Sequence, residues 1–135
     1  MRTLGRTGLQ VSPIGLGCSG FWGDRRFAED KAAAVVRAAL EGGVTLFDTG
    51  HNYSAFNAEP RLGRILRRYA GDFPRDGLVL SSKAGTLLAR APLLGRGGPS
   101  QDFSPDAIES SCLRSIANLG CGQLDIFQLH GITHE

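Results

Sequence analysis

Three apolar runs in this sequence end on a side chain that can take part in proton transfer. The run "TLFD" ends at Asp48, "VLSSK" ends at Lys83 and "FQLH" ends at His130. Tyr53 follows in the segment directly after Asp48. The carboxyl ends of parallel strands lie at one edge of a sheet, and catalytic residues collect there. We therefore predict that these four side chains face one another.

An acid, an ammonium, an imidazole and a phenol are together suited to one kind of chemistry. A phenol is a weak acid at neutral pH, and a nearby ammonium stabilises the phenolate that remains after the proton has left. A carboxylate keeps that ammonium charged and in place, and an imidazole can orient a carbonyl oxygen. The set therefore predicts protonation of the oxyanion that forms when a carbonyl accepts hydride. No side chain donates hydride, so a nicotinamide would be required.

The elements that would position these groups alternate between strand and helix patterns. A hairpin around Gly5 and Gly8 comes first, followed by the strands "PIGLG", "VTLFD", "GLVLSSK" and "QLDIFQLH". Between them lie the amphipathic stretches "AEDKAAAVVRAALEGG", "AEPRLGRILRRYAG" and "SPDAIESSCLRSIANLG". Helix ends are predicted at Gly42, Gly71 and Gly120, and a loop over residues 84–103. This order predicts an α/β fold with a parallel sheet, either a doubly wound sheet or a (β/α)₈ barrel.

The third helix and the strands have predictable faces. Ser104 is the predicted N-cap of this helix, with Pro105 at its first position. Its predicted buried stripe is Ile108, Cys112, Ile116 and Leu119. Side chains alternate along a strand, so the inner face should carry Asp48, Ser81, Lys83, Ile126, Gln128 and His130. The outer face should carry Phe47, Leu80, Phe127 and Leu129 against the helices.

Composition excludes several classes of protein. The chain has 135 residues, of which 41% are hydrophobic and 21% charged, as in a globular domain. The net charge of +2 and the scattered arginines give no reason to expect nucleic-acid binding. No apolar run approaches the ~20 residues of a membrane span. The cysteines Cys18, Cys112 and Cys121 form no C-x-x-C pair, so we predict reduced thiols and a cytoplasmic location.

Two other kinds of site deserve comparison. Gly15, Gly17 and Gly20 match G-x-G-x-x-G, but this dinucleotide fingerprint should open a helix directly, and "FWGDRRF" intervenes. His130 and His134 are four residues apart, but Gly rather than Glu follows the first, which disfavours a zinc site. His51 could reach the strand edge, although we expect it to be solvated. We predict no metal.

Several motifs together resemble the aldo-keto reductase superfamily. "LFDTGHNY", "LSSKAG" and "DIFQLH" are similar to its three signatures, in the same order and spacing. "EPRLGRIL" is similar to the motif of its second helix, and "LGRTGLQVSPIGLGC" resembles its N-terminal hairpin and first strand. "NAEPRLGR" resembles the bacterial sugar or aldose dehydrogenase subgroup.

The resemblance implies a (β/α)₈ barrel and an activity. The reaction would be NADPH-dependent reduction of aldehydes and ketones, or oxidation of the corresponding alcohols or sugars, with NADH as the alternative cofactor. Tyr53 would be the general acid/base, Asp48 and Lys83 the pair that tunes it, and His130 the group that orients the substrate carbonyl. The implied cofactor-binding residues are Gly17, Cys18, Ser19 and Asp48. The implied substrate-binding residues are Trp22, Tyr53, Phe56 and His130.

The length of this chain differs from that of a complete barrel of this family. A (β/α)₈ barrel needs ~250 residues, so residues 1–135 are interpreted as its N-terminal half, with a hairpin, four strands and three helices and without a second domain. The bare edges of a half barrel would favour self-association. The competing hypothesis is a non-catalytic binding or regulatory module, like the channel-associated β subunits that resemble this family, or an inert truncated fragment.

Overall fold

A parallel sheet with helices against one face forms the centre of the computed structural model, which describes residues 1–87 and 100–132. The strands are β1 (Arg2–Thr3), β2 (Gln10–Val11), β3 (Gly15–Gly17), β4 (Leu46–Asp48), β5 (Val79–Ala84), β6 (Thr86–Leu87), β7 (Ser100–Gln101) and β8 (Ile126–Leu129). The helices are α1 (Glu29–Glu41), α2 (Ala58–Arg68) and α3 (Pro105–Leu119), with 3-10 turns at Phe21–Gly23 and Arg75–Gly77.

The order of the strands decides between the two predicted architectures. The sheet runs β3-β4-β5-β8, so each strand lies beside the next along the chain, and every pair is parallel. A doubly wound sheet reverses its order at a switch point, whereas a barrel does not. The prediction of a partial barrel is therefore confirmed. The glycine pattern also fails as a dinucleotide fingerprint, because a 3-10 turn follows β3 and α1 begins only at Glu29.

The predicted boundaries of the helices are largely confirmed. Gly42 caps α1, and the following Gly43 has a φ of +80°. In α3, the Ser104 hydroxyl accepts a hydrogen bond from the Ala107 backbone N–H at 3.4 Å, and Gly120 ends the helix in the left-handed region at φ +61°. The second helix ends at Arg68 rather than at Gly71. Local capping chemistry thus sets the ends of two of these helices.

The buried stripe predicted for α3 is only partly correct. Leu119 is buried as predicted, but Ile108, Cys112 and Ile116 are half-buried. The fully packed positions are instead Ser111 and Ser115. Small side chains occupy this face because α3 lies close to α2 and β5, where Gly63 of α2 faces the carbonyls at the end of α3. Close packing of backbone outweighs the hydrophobic pattern at these positions.

The two faces of the sheet separate as the alternation predicts. Phe47 and Leu80 are buried in the hydrophobic core that the helices cover. On the opposite face, the Gln128 amide donates to the Ser81 hydroxyl at 2.8 Å. At the edge strand β8 the predicted packing against the helices is not met, because Phe127 is only half-buried and Leu129 is 45% exposed. Polar groups from neighbouring strands therefore share the inner face.

The segment predicted as a loop over residues 84–103 contains structure at both ends. β6 pairs with β7 in an antiparallel ladder, with Thr86 opposite Gln101. Such a two-residue ladder has no periodicity that a sequence pattern could detect. The middle of the predicted loop lies outside the described residues.

In the described parts of the chain, no helix is both long and apolar enough to cross a membrane.

A left-handed turn lies between Tyr53 and α2. Ser54, Ala55 and Phe56 have φ values of +53°, +51° and +64°. This conformation costs a non-glycine residue roughly 1–2 kcal/mol, and three in succession require support from the surrounding structure. The contacts that supply this support therefore also determine where Tyr53 lies.

The contact between α2 and α3 gives a first prediction. A Cβ atom at Gly63 would lie 2.5 Å from the Leu119 carbonyl oxygen and 2.8 Å from that of Asn118. Because both atoms belong to backbone, Gly63→Ala should lower the free energy of unfolding by about 1–3 kcal/mol in urea titrations. Gly71→Ala is the matched control, since its Cβ would meet nothing within 4 Å. Equal effects of the two changes would contradict this packing.

The left-handed turn gives a second prediction. Ala55→Gly should raise the free energy of unfolding by about 0.5–1 kcal/mol, because relief of strain exceeds the extra entropy of the unfolded glycine. Ala34→Gly, at an exposed position inside α1, should lower it by about 1 kcal/mol. The same substitution thus has opposite signs at two exposed sites. A loss of stability at both would show that Ala55 is not left-handed.

Candidate active site

Lys83 lies at the centre of the inner rim. It is near the end of β5, with its side chain only 11% exposed, and its ammonium donates to Asp48 Oδ2 at 2.8 Å and to the Thr49 carbonyl at 2.7 Å. Burial of an ammonium is costly unless it is paired and hydrogen-bonded. These two acceptors satisfy that need and fix the position of the charge at the end of β4.

Tyr53 and His130 complete a cluster around this ammonium. The Lys83 Nζ atom lies over the Tyr53 ring at 4.9 Å from the centroid. The His130 ring meets the Tyr53 ring edge-on, with 5.6 Å between centroids. The structure therefore brings all four predicted catalytic residues to one place, with the Tyr53 ring in contact with both the lysine and the histidine.

Backbone hydrogen bonds extend the parallel ladder one residue beyond the ends of β4 and β8, and they position these groups. The Thr49 N–H donates to the Ser81 carbonyl at 2.9 Å, and the His130 N–H donates to the Ala84 carbonyl at 2.8 Å. Ser81 also pairs with Asp48 in the register of β4 and β5. The rim is therefore a continuation of the parallel ladder, which explains why the three strand ends converge.

Two contacts of His130 were not predicted from the sequence. Its Nδ1 atom lies 3.4 Å from the Thr86 hydroxyl, and the Gln101 amide donates to its backbone carbonyl at 3.2 Å. Thr86 and Gln101 belong to the β6–β7 ladder, in the segment predicted to be loop. This ladder therefore supports His130 from one side.

His51 contradicts the prediction of a solvated side chain. It is 4% exposed, and its Nδ1 atom lies 3.2 Å from the Lys83 carbonyl. Because a carbonyl can only accept, Nδ1 carries the proton and donates. A sequence shows that His51 stands between Asp48 and Tyr53, but not that the loop folds inward against β5.

The loop after β3 lies beside Asp48. The Cys18 N–H donates to the Asp48 carbonyl at 2.8 Å, and Ser19 is exposed. The Cys18 side chain is fully buried, and burial raises the pKa of its thiol far above the usual range. A Cβ atom at Gly17 would meet nothing within 4 Å, so there is open space beside this strand end. These residues adjoin the rim, with the thiol kept protonated.

Trp22 and Phe56, the other two predicted substrate-binding residues, occupy different environments. Trp22 is 4% exposed within the hydrophobic core, and its indole N–H donates to the Gly17 carbonyl at 3.3 Å. Phe56 is half-buried, and its ring lies 5.9 Å from that of His51. Phe56 is thus part of the loop that carries Tyr53. Trp22 instead packs in the core, and its hydrogen bond holds the end of β3, where the next loop begins.

Unpaired acceptors near the rim test whether a cofactor fits. Within the described residues, Asp48 Oδ1, Thr49 Oγ1 and Asn52 Oδ1 are buried oxygens without a hydrogen-bond partner. All three belong to the end of β4 or the loop that follows. Buried acceptors of this kind normally have a partner. Of the three, Asp48 pairs with Gly17 in the register of β3 and β4, so its unpaired oxygen and the open space at Gly17 fit a ligand that carries amide or hydroxyl donors.

Metal ligands do not assemble in the same way. In residues 1–87 and 100–132, no group of three or more His, Cys, Asp or Glu side chains could hold a metal ion. His134, part of the alternative zinc pattern, lies outside the described residues.

Comparisons with known proteins agree with this architecture. The chain is 33% identical to L-galactose dehydrogenase of Arabidopsis thaliana over 98% of its own length and 38% of the relative's. It is 30% identical to D-threo-aldose 1-dehydrogenase of a Pseudomonas species over 91% of its own length and 41% of the relative's. It therefore spans about two fifths of the length of these curated relatives.

A solved structure gives the same result for the fold. An aldo-keto reductase from Bacillus halodurans, in its holo form, superposes with a TM-score of 0.80 at 30% identity. The superposition covers 98% of this chain and 40% of that one. The Aldo/keto reductase family matches residues 13–135 of the sequence. The chain therefore belongs to the aldo/keto reductase family.

Proposed function

We propose that this chain carries the proton-transfer residues of an oxidoreductase that reduces aldehydes or ketones, or oxidises the corresponding alcohols or sugars. One observation carries the proposal. The Tyr53 ring contacts both the Lys83 ammonium and the His130 ring, and Lys83 is held by a hydrogen bond to Asp48. This arrangement supports protonation of a carbonyl oxygen by the Tyr53 hydroxyl.

Tyr53 is the proposed proton donor. During reduction, its hydroxyl proton passes to the carbonyl oxygen of the substrate, and a phenolate remains. The Lys83 ammonium, 4.9 Å from the ring centroid, stabilises that negative charge. Asp48 holds the ammonium in place through its 2.8 Å hydrogen bond. In the oxidation direction the phenolate accepts the proton of the alcohol.

His130 is the proposed orienting group for the substrate. When the Thr86 hydroxyl donates to Nδ1, the imidazole proton lies on Nε2. Nε2–H can then donate to the same carbonyl oxygen that receives the proton from Tyr53. A hydrogen bond of this kind orients the carbonyl and stabilises charge that develops on its oxygen.

A nicotinamide is the proposed cofactor, with NADPH as our expectation and NADH as the alternative. When bound, it supplies the hydride chemistry that no side chain of the chain can perform. We propose that Gly17, Cys18, Ser19 and Asp48 lie against it. The unpaired acceptor of Asp48 and the open space beside Gly17 support this placement.

A small sugar or another small carbonyl compound is the proposed substrate. Two relatives bear the names of an L-galactose dehydrogenase and a D-threo-aldose 1-dehydrogenase, which supports the sugar class. Phe56 and Trp22 are the proposed apolar contacts of this substrate. The half-buried ring of Phe56 favours such a role more than the buried indole of Trp22 does. The proposed location is the cytoplasm, because the three cysteines of the sequence form no C-x-x-C pair.

Replacement of the proposed proton donor tests this function. Tyr53→Phe should leave quenching of NADPH fluorescence nearly unchanged and lower turnover of a generic aldehyde by about 10²-fold or more, because only the acid is removed. Tyr69→Phe is the matched control, because Tyr69 is the other tyrosine and caps the far end of α2. It should leave both quantities unchanged.

Three outcomes discriminate between the hypotheses. Turnover that survives Tyr53→Phe would exclude Tyr53 as the proton donor. Quenching by the unsubstituted chain without turnover would favour the non-catalytic module. A chain that shows neither quenching nor turnover would refute the proposal for this chain.

A further inference from the structure

Glu59 is a buried carboxylate without a cation among its hydrogen-bond partners in the described residues. It is fully buried in the first turn of α2. Its partners are neutral: the Ser82 hydroxyl donates to Oε1 at 2.6 Å, and the Asn118 amide donates to Oε2 at 2.9 Å. Burial of a carboxylate is costly, and two donors together with the helix N-terminus offset only part of that cost. A simple packing role would be filled at lower cost by an apolar side chain.

The position of its main partner suggests what this carboxylate does. Ser82 immediately precedes Lys83 on β5, with its side chain on the opposite face of the sheet. Glu59 itself follows Tyr53 by six residues, across the left-handed turn. The hydrogen bond between Glu59 and Ser82 therefore ties the segment that carries Tyr53 to the strand that carries Lys83.

A second hydrogen bond ties the same two segments on the other side of Tyr53. The His51 ring donates to the Lys83 carbonyl at 3.2 Å. We call these two hydrogen bonds, His51 to Lys83 and Ser82 to Glu59, the bracket. They start two residues before Tyr53 and end six residues after it, and they meet β5 at adjacent residues.

The bracket encloses the strained part of the loop. Ser54, Ala55 and Phe56 lie between its two ends, and all three are left-handed. A free loop would relax out of this conformation. Contacts with β5 at both ends oppose such relaxation, so the Tyr53 ring stays over the Lys83 ammonium.

We infer that Glu59 and His51 are positioning residues that hold Tyr53 against Lys83 by bracketing the left-handed turn between them. They act through β5 and touch no reacting atom. The inference deepens the proposed function, because it says how the proton donor and its neighbouring charge are kept in contact. It rests on that function only for the statement that the contact matters for catalysis.

The accessibility of Lys83 tests the bracket without cofactor or turnover. Lys31 and Lys83 are the two lysines of the sequence, and Lys31 is exposed on α1. The rate of amine acetylation at each can be followed by mass spectrometry, with Lys31 as internal standard. Glu59→Leu keeps a similar volume but removes the acceptor. It should raise the ratio of Lys83 to Lys31 labelling about tenfold or more, because the Tyr53 segment moves away from the ammonium.

Matched variants separate positioning from loss of stability. Glu59→Gln keeps an acceptor for Ser82, so its ratio should remain that of the unsubstituted chain. Leu40→Ala removes buried volume from α1, which contributes no residue to the bracket, and should leave the ratio unchanged. Ser82→Ala breaks the same hydrogen bond from β5 with a smaller change of volume, and it decides the question when Glu59→Leu does not fold.

The results have defined meanings. An unchanged ratio in Ser82→Ala and in folded Glu59→Leu would overturn the inference, and so would an increase in Leu40→Ala as large as theirs. A raised ratio in a chain that neither binds NADPH nor turns over substrate would refute the proposed function and leave the bracket standing.

Discussion

The buried ammonium of Lys83 joins segments that are distant along the chain, and the candidate site depends on it. One hydrogen bond reaches the carboxylate of Asp48 and another reaches the backbone carbonyl of Thr49. The Tyr53 ring also contacts this ammonium, with 4.9 Å between Nζ and the ring centroid. A desolvated cation tolerates few arrangements, because each missing partner costs several kcal/mol in the interior. The Lys83 ammonium therefore fixes three segments relative to one another: the end of β4, the end of β5, and the loop that follows β4 and carries Tyr53.

The sheet supplies the scaffold for this constraint. Parallel strands in sequential order bring the strand ends to one rim, and the ladder continues through Thr49 and His130. Chemistry at such a rim requires rigid support beneath it, and here the support is a core in which Phe47 and Leu80 face the helices. The polar inner face and the apolar outer face are thus two consequences of a single alternation. This alternation of side chains along the strands therefore determines both the hydrophobic core that stabilises the fold and the position of the candidate site.

The sequence was sufficient for those features that depend on local pattern or strand parity. It predicted the parallel sheet, the caps of α3 and, to within one residue, the three strand ends at Asp48, Lys83 and His130. It failed where neighbouring backbones decide the outcome. Ser111 and Ser115 are buried because α2 and α3 approach closely, and β6 and β7 are too short to produce a pattern.

The loop around Tyr53 shows the same limit within the site. Neither the inward fold of His51 nor the burial of Glu59 has a signature in residue type, since glutamate is mostly exposed in proteins and histidine is found both inside and at the surface. Three left-handed residues in succession are also invisible in "SAF", which contains no glycine. The signal that could have found them is physical: a proton donor on a loop must be held in place by something, and the polar residues on either side of Tyr53 are candidates. Only a structure shows which of these polar residues contact the neighbouring strand.

Nuclear Overhauser spectroscopy on the full chain, with labelled tyrosine, lysine and histidine, can show whether Tyr53 lies against both Lys83 and His130. We expect cross-peaks from the Tyr53 ring to the ε-protons of Lys83 and to the His130 ring, with distances consistent with 4.9 Å from the ammonium to the ring centroid and 5.6 Å between the two ring centroids. Tyr69 should show neither cross-peak and serves as the internal control. A folded chain in which Tyr53 lacks both cross-peaks would contradict this arrangement, because the proposed proton donor would then lie apart from the ammonium and the imidazole of the candidate site.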